Sequence, residues 1–193
     1  MKSHLFSAFA SRPQPAADRI LNKSVSEYEG RELREYLTGK TADELVAADL
    51  RTIVGGNLWM LTPEAYLYFL PAFLHMALEH NEEIGVIDSE LIEDLIEPAR
   101  EDVVNALDQL EQNQSEARLP ADMLEILRKQ QLEWIDSGAP MAVFIERFSN
   151  LSHAEGTAIL AFLDAFQAAY GEDFPFGEIQ TAIDRYWARF RDS

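Results

Sequence analysis

The sequence contains no cysteine, which excludes disulfide bonds, thiolate nucleophiles and cysteine metal sites. It also lacks a Gly-rich phosphate loop and a Gly-x-Ser-x-Gly nucleophile elbow. Basic residues are scarce, at 16 against 34 acidic residues, and this imbalance disfavours binding to nucleic acid or to an anionic membrane surface. The sequence therefore shows none of the signatures of cysteine-dependent enzymes, phosphate-loop nucleotide-binding proteins or α/β-hydrolases. The lack of cysteine fits a reducing compartment such as the cytoplasm.

Long hydrophobic runs are also missing. Residues 61–78 form the most apolar stretch, which is short for the ~30 Å of hydrocarbon in a bilayer. A helix that is apolar on all sides is typical of the core of a soluble protein. The first residues are not followed by the apolar run of a secretory signal. We therefore expect a cytoplasmic protein with no membrane partner.

Helical patterns dominate the rest of the chain. Apolar residues make up 47% of the sequence and aromatic residues 10%, which is enough to form a packed core. The sequence predicts an all-α single domain over residues 1–193, built around a buried central helix at about 62–80. Residues 112–120 are polar and lack periodicity, which makes them the candidate boundary if the domain has two lobes.

Several helix ends can be predicted from capping patterns. Ser26 is a candidate cap, and Thr62 followed by a proline and an acid is a strong helix start. Ser152 with Glu155 forms a capping-box pattern. Asp88 is the candidate cap of the next helix after the central one. Pro98 is expected to divide the segment that follows into two helices or one bent helix, as proline does in a helix interior.

The three tryptophans, Trp59, Trp134 and Trp187, are expected in the core or at an interface. Their neighbours in the sequence do not distinguish these two environments. The sequence alone therefore does not make them markers of function.

Three segments resemble an uncharacterised family of small bacterial proteins. They are the Phe6 and Phe9 pair, the stretch LTPEAYLYFLPAFL at residues 61–74, and AIDRYW at residues 182–187. The matching residues are core and capping residues. The resemblance therefore implies a bacterial source and a helical fold, and it implies no active site.

Negative charge is concentrated in residues 82–116. This segment has twelve acidic residues and one basic residue, whereas the other 158 residues have 22 and 15. Apolar residues recur there at helical spacing, so we expect the carboxylates to lie along one solvent face. The candidate partner-binding residues are Glu90, Glu93, Asp94, Glu97, Glu101, Asp102, Asp108 and Glu111.

A dense acidic face suits a basic protein partner, since it speeds encounter and fixes the docking register. The function predicted first is that of a bacterial immunity protein that neutralises a secreted toxin, for example one delivered by type VI secretion. A nuclease is the favoured target. Mimicry of nucleic acid overlaps with this hypothesis, although a continuous 35-residue helix would present about one net charge per 5 Å, against about one per 1.7 Å of duplex.

Two alternatives come from other classes. His75, Glu79 and His80 could serve a metal-dependent enzyme, although His80 would point about 140° away from His75 on an ideal helix. The chain could also be a helical scaffold or regulator whose charge serves only solubility. The sequence does not determine the oligomeric state, and it is compatible with a homo-oligomer. We assign no catalytic, cofactor-binding or metal-binding residue.

Overall fold

The computed structural model describes residues 1–113 and 120–191, and within these ranges it confirms the all-α prediction. In this part of the chain the only β-type pairing is one isolated bridge between Leu21 and Leu61. The helices are α1 (Lys2–Ala8), α2 (Glu27–Leu37), α3 (Ala47–Asp49), α4 (Pro63–Glu79), α5 (Asn81–Ile84), α6 (Ile87–Leu95), α7 (Arg100–Gln112), α8 (Ala121–Asp136), α9 (Ala139–Phe148), α10 (His153–Tyr170) and α11 (Glu178–Arg185).

Shorter helical turns connect these helices. Five are 3₁₀ turns and one is a π-helical turn: Ala17–Arg19, Ala42–Glu44, Leu50–Val54 (the π turn), Leu58–Met60, Gly171–Asp173 and Trp187–Phe190. None of the helices in the described ranges combines the length and apolarity needed to cross a bilayer.

The chain divides into two compact units. The first consists of Met1–Ile96 with Asn150–Ser193, and the second of Glu97–Ser149. The boundary proposed from the sequence at residues 112–120 falls mostly on residues 114–119, which lie outside the described residues. Each unit is described by itself below.

Helix α4 is the buried centre of the first unit, as the sequence predicts. Its start is fixed by Thr62, whose Oγ1 accepts a hydrogen bond from the Ala65 N–H at 3.1 Å, and by Pro63 in the first turn. Ten of its 17 residues are buried, and Pro71 lies inside the helix. Helices α1, α6 and α10 pack against it.

Helix α10 begins at the predicted capping box. The Ser152 N–H donates to Glu155 Oε2 at 2.7 Å, and the Glu155 N–H donates to Ser152 Oγ at 3.2 Å. Gly156 in the next position allows the Phe190 ring to lie against the helix, because a Cβ there would be 2.2 Å from the ring. This close approach joins the C-terminal turn to the core of the first unit.

The acidic segment is not one long helix. It contains α5, α6 and α7, and the predicted break at Pro98 is found between α6 and α7. The cap predicted at Asp88 is wrong, because α6 already begins at Ile87 and Asp88 Oδ1 accepts from the N–H of the adjacent Ser89 at 2.7 Å. The spacing of about one net charge per 5 Å, which assumed a continuous 35-residue helix, therefore does not apply.

The second unit is formed by α7, α8 and α9, with α7 packed against α8 and α8 against α9. Its buried residues among those described are few: Leu107, Leu124, Phe144, Arg147 and Phe148. Gly138, at φ +74°, allows the tight turn between α8 and α9, since this backbone conformation is unfavourable for residues with a Cβ. This unit leaves several large apolar side chains exposed.

Candidate partner-binding surfaces

Helix α6 places three of the predicted binding residues together. One side of the helix is buried in the first unit through Ile87, Leu91, Ile92 and Leu95. Glu90, Glu93 and Asp94 are three and four residues apart, so they share the other side of a single turn. With Glu178, the first residue of α11, they form what we call the α6 acidic cluster.

Glu90 is a half-buried member of this cluster. Burial raises the pKa of its carboxyl, the charges of Asp94 and Glu93 raise it further, and the backbone of Gly56 acts in the opposite direction. Its Oε2 is buried and accepts no hydrogen bond within the described part of the chain. The ionised form of Glu90 therefore lowers the stability of the folded protein.

Glu93 is exposed, yet its environment also disfavours the charged form. Desolvation raises the pKa of Glu93, and the neighbouring charges of Asp94 and Glu178 add to this effect. Within residues 1–113 and 120–191, neither Glu90 nor Glu93 has a lysine, arginine or histidine at ion-pair distance. The like charges of Glu90 and Glu93 are therefore not offset by a cation in these ranges.

Two exposed aromatic residues are hydrogen-bonded at the border of the same cluster. Trp59 is 57% exposed, and its Nε1–H donates to the carbonyl of Gly56 at 3.2 Å, beside Glu90. Phe176 is 77% exposed, and its backbone N–H donates to the Glu178 carboxylate at 3.2 Å. Carboxylates next to exposed aromatic faces can attract lysine or arginine side chains by both charge and cation–π interaction. The sequence offered no signal for these two contacts.

The other predicted residues belong to the second unit, where part of the negative charge is neutralised. Arg128 of α8 donates hydrogen bonds to Asp108 and, at 3.2 Å, to Glu111. Glu101 is exposed and has no ion-pair partner in the described ranges. Asp108 and Glu111 thus share the positive charge of Arg128, which reduces the negative charge that they offer to a partner. Glu97 and Asp102 also lie in this unit.

The alternative metal site has a different geometry from the one expected. Helix α4 ends at Glu79, so His80 leaves the helical path and its ring comes within 6.4 Å of the His75 ring, edge to face. His80 Nδ1 lies 3.1 Å from Glu83 Oε1, and burial, followed by the charge of Lys2, lowers the pKa of His75. In the described ranges no three His, Asp or Glu side chains are placed to hold a metal ion.

The structure separates the three tryptophans. Trp187 is fully buried and its Nε1–H donates to the Leu95 carbonyl at 2.7 Å, at the end of α6. Trp59 and Trp134 are each more than half exposed. Trp187 therefore supports the α6 acidic cluster from within the core, whereas the other two are available for contacts.

Comparison with protein-family models, curated proteins and solved structures finds no match for this chain. The resemblance of three segments to a family of small bacterial proteins is therefore not supported by a matching family model or relative. The helical fold that it implied is present. The bacterial source stays a prediction.

The α6 acidic cluster makes a stability test possible. We expect Glu90→Gln to raise the free energy of unfolding at pH 7 by about 0.5 kcal/mol, because the amide removes a half-buried charge beside Asp94 and Glu93. A raised pKa in the folded state favours the protonated carboxyl, so the gain should vanish as the pH falls and Glu90 itself becomes protonated. Urea denaturation at pH 7 and at pH 4 measures both effects.

Glu32→Gln is the matched control, since it removes the same charge from an exposed position on α2. Its effect reports only the relief of general repulsion in a chain of net charge −18. Equal effects of the two variants, or a loss of stability in Glu90→Gln at pH 7, would contradict the strain assigned to Glu90.

Proposed function

We propose that this protein binds a basic protein partner through the α6 acidic cluster. The supporting observation is that Glu90 and Glu93 are partly desolvated, repelled by their neighbours and without a cation in the described ranges. Strain of this kind lowers stability, and binding sites are where proteins retain it. A lysine or arginine from a partner would lower the pKa of both carboxyls and relieve the repulsion.

The chemistry of the cluster defines what the partner must present. We expect a cation that docks there to meet carboxylate oxygens and to lie near the exposed residues Trp59 and Phe176, which contact the same cluster. Arginine satisfies both contacts better than lysine, because its planar guanidinium stacks on rings and donates two parallel hydrogen bonds. Binding should also release protons near the raised pKa values and weaken as the pH falls through them.

In more specific terms, the proposed role is that of an immunity protein that neutralises a secreted toxin. A nuclease is the favoured target because its substrate-binding cleft must be basic. The excess of acidic residues keeps the protein itself away from nucleic acid. The absence of cysteine fits the reducing cytoplasm, where such a toxin meets nucleic acid.

The test uses the product of the neighbouring gene, since immunity genes lie beside the toxins that they silence. We expect this product to bind, with an association rate constant that falls steeply as salt rises. Neutralising or reversing unpaired carboxylates should slow association about tenfold or more at low salt, and should make the residual rate less sensitive to salt. The test variant combines Glu90→Gln, Glu93→Lys and Glu178→Lys, three members of the α6 acidic cluster. Stopped-flow fluorescence measures the rates.

The control variant changes the net charge by the same amount at exposed acids elsewhere in the first unit. It combines Glu32→Gln, Glu35→Lys and Glu172→Lys. If both variants slow association equally, total charge and not the cluster steers the partner. If the neighbouring product does not bind at all, the immunity role is wrong.

A further inference from the structure

The second unit exposes three large apolar side chains on one side of α8, with the exposed Gln130 between Ile126 and Trp134. Met123, Ile126 and Trp134 are 52%, 56% and 55% exposed. At about 100° per residue these three positions fall within roughly 80° of the helix circumference, and they extend over about 16 Å of its axis. We call these three residues the α8 stripe. Half-exposed Met, Ile and Trp on a single helix face are typical of a protein-binding surface, in which aromatic residues and Met are enriched.

The second unit does not cover this stripe itself. The opposite side of α8 faces α7, since Leu124 is buried and Arg128 bonds to Asp108 and Glu111. Helix α8 therefore already has its packing partner. The stripe is not needed to hold α8 in place.

The charges beside the stripe indicate what occupies it. Asp122, Glu125 and Glu133 are exposed on α8, and Lys129 is paired with Glu133 at 3.8 Å. The unit as a whole, residues 97–149, has eleven acidic and five basic residues. A second copy of this chain would bring an equally acidic surface to the stripe, which like-charge repulsion opposes. A cationic surface is complementary to it.

We propose that the α8 stripe is a docking surface for a cationic amphipathic helix, whose apolar residues pack on Met123, Ile126 and Trp134. The lysines or arginines that flank those apolar residues then face Asp122 and Glu125, which have no ion-pair partner in the described ranges. Helices that dock in this way use anchors at i, i+3 or i+4, and i+7, a spacing that fits a stripe about three turns long. The inference that this helix belongs to a basic protein partner rests on the proposed function. The affinity of the stripe for a cationic amphipathic helix does not.

The experiment titrates the full-length protein with a synthetic 18-residue helical peptide of leucine and lysine on segregated faces. Two further peptides serve as probes of the mechanism: one with the same composition in shuffled order, and one with glutamate in place of lysine. Calorimetry should detect binding of the segregated leucine and lysine peptide only. The double variant Ile126→Gln, Trp134→Gln should weaken this binding at least tenfold, and Met123→Gln alone should weaken it severalfold.

The matched control is the double variant Tyr28→Gln, Val46→Gln, which removes one exposed aromatic and one exposed aliphatic side chain from the first unit. It should leave the affinity unchanged. The proposal is overturned if the segregated peptide fails to bind, if the shuffled or acidic peptide binds equally well, or if the control weakens binding as much. A wild-type dimer in sedimentation that the stripe variant dissociates would assign the stripe to a second copy, and would also overturn it.

Failure here and failure of the proposed function give different results. Peptide binding that is lost in the stripe variant, combined with no binding of the neighbouring gene product, supports the stripe and rejects the immunity role. Binding of the gene product that depends on Glu90 and Glu93, combined with failure of the segregated peptide to bind, supports the α6 acidic cluster and rejects the stripe.

Discussion

Arg12→Ala is expected to lower the free energy of unfolding of the first unit by about 3 kcal/mol at pH 7. The Arg12 guanidinium donates to both oxygens of Glu155, at 2.6 and 3.0 Å, and to the Asn150 carbonyl at 3.1 Å. The Glu155 side chain is 3% exposed, so removal of Arg12 leaves a buried carboxylate with only the Ser152 contacts. Urea denaturation followed by far-UV circular dichroism measures the loss.

The pH dependence identifies the cause of this loss. Burial by itself would raise the pKa of Glu155, but the hydrogen bonds from Arg12 and Ser152 outweigh burial and lower it. A lowered pKa stabilises the fold above the unfolded-state pKa, and this stability is lost as the pH falls through the folded-state value. Without Arg12, only the Ser152 hydrogen bonds oppose the effect of burial, so the pKa of Glu155 rises relative to wild type and the stabilisation above it shrinks. The stabilities of wild type and variant should therefore converge as the pH falls below about 4.

Arg19→Ala is the control, since it breaks a more exposed pair at 2.7 Å with Glu64. Pairs of this kind contribute less than about 1 kcal/mol. A loss in Arg12→Ala no larger than in Arg19→Ala, or one that does not depend on pH, would show that the buried pair does not have the assigned role.

Trp187→Ala is expected to cost about 3–5 kcal/mol, because it empties a fully buried site and leaves the Leu95 carbonyl without its indole donor. Trp187→Phe keeps most of the volume and removes the donor, so its cost should be nearer 1–2 kcal/mol. Far-UV circular dichroism during urea denaturation measures both, since it does not depend on tryptophan emission.

Trp59→Ala is the control for this series, because Trp59 lies on the surface and its removal should change stability by less than about 0.5 kcal/mol. The same variant should weaken binding of the proposed partner, since Trp59 adjoins the α6 acidic cluster. A Trp59 variant as unstable as Trp187→Ala would contradict the assignment of one tryptophan to the core and the other to the surface.

The two residues with the largest expected effects also explain how the proposed binding surface is supported. Trp187 bonds to Leu95, the last residue of α6, and so ties the helix that bears Glu90 and Glu93 to the C-terminal turn. Arg12 and Glu155 fix the start of α10, against which that turn packs. The cluster can retain strained carboxylates because its scaffold is well packed.

The candidate site was only partly predictable. The concentration of acid was visible in the sequence, and Glu90, Glu93 and Asp94 do share one side of α6. The neutralisation of Asp108 and Glu111 was not, because Arg128 follows them by 20 and 17 residues and reaches them only when α8 packs on α7. The 6.4 Å approach of His75 and His80 was also missed, since it requires α4 to end at Glu79.

The sequence by itself determined the all-helical class, the central helix, and the caps at Ser26, Thr62 and Ser152. These features depend on residues within about four positions of each other, so the chain specifies them locally. Only the tertiary structure decided which carboxylates lack a cation and which tryptophans are exposed. Arg12 and Glu155 are 143 residues apart, and no local pattern records a contact that forms only when distant helices pack together.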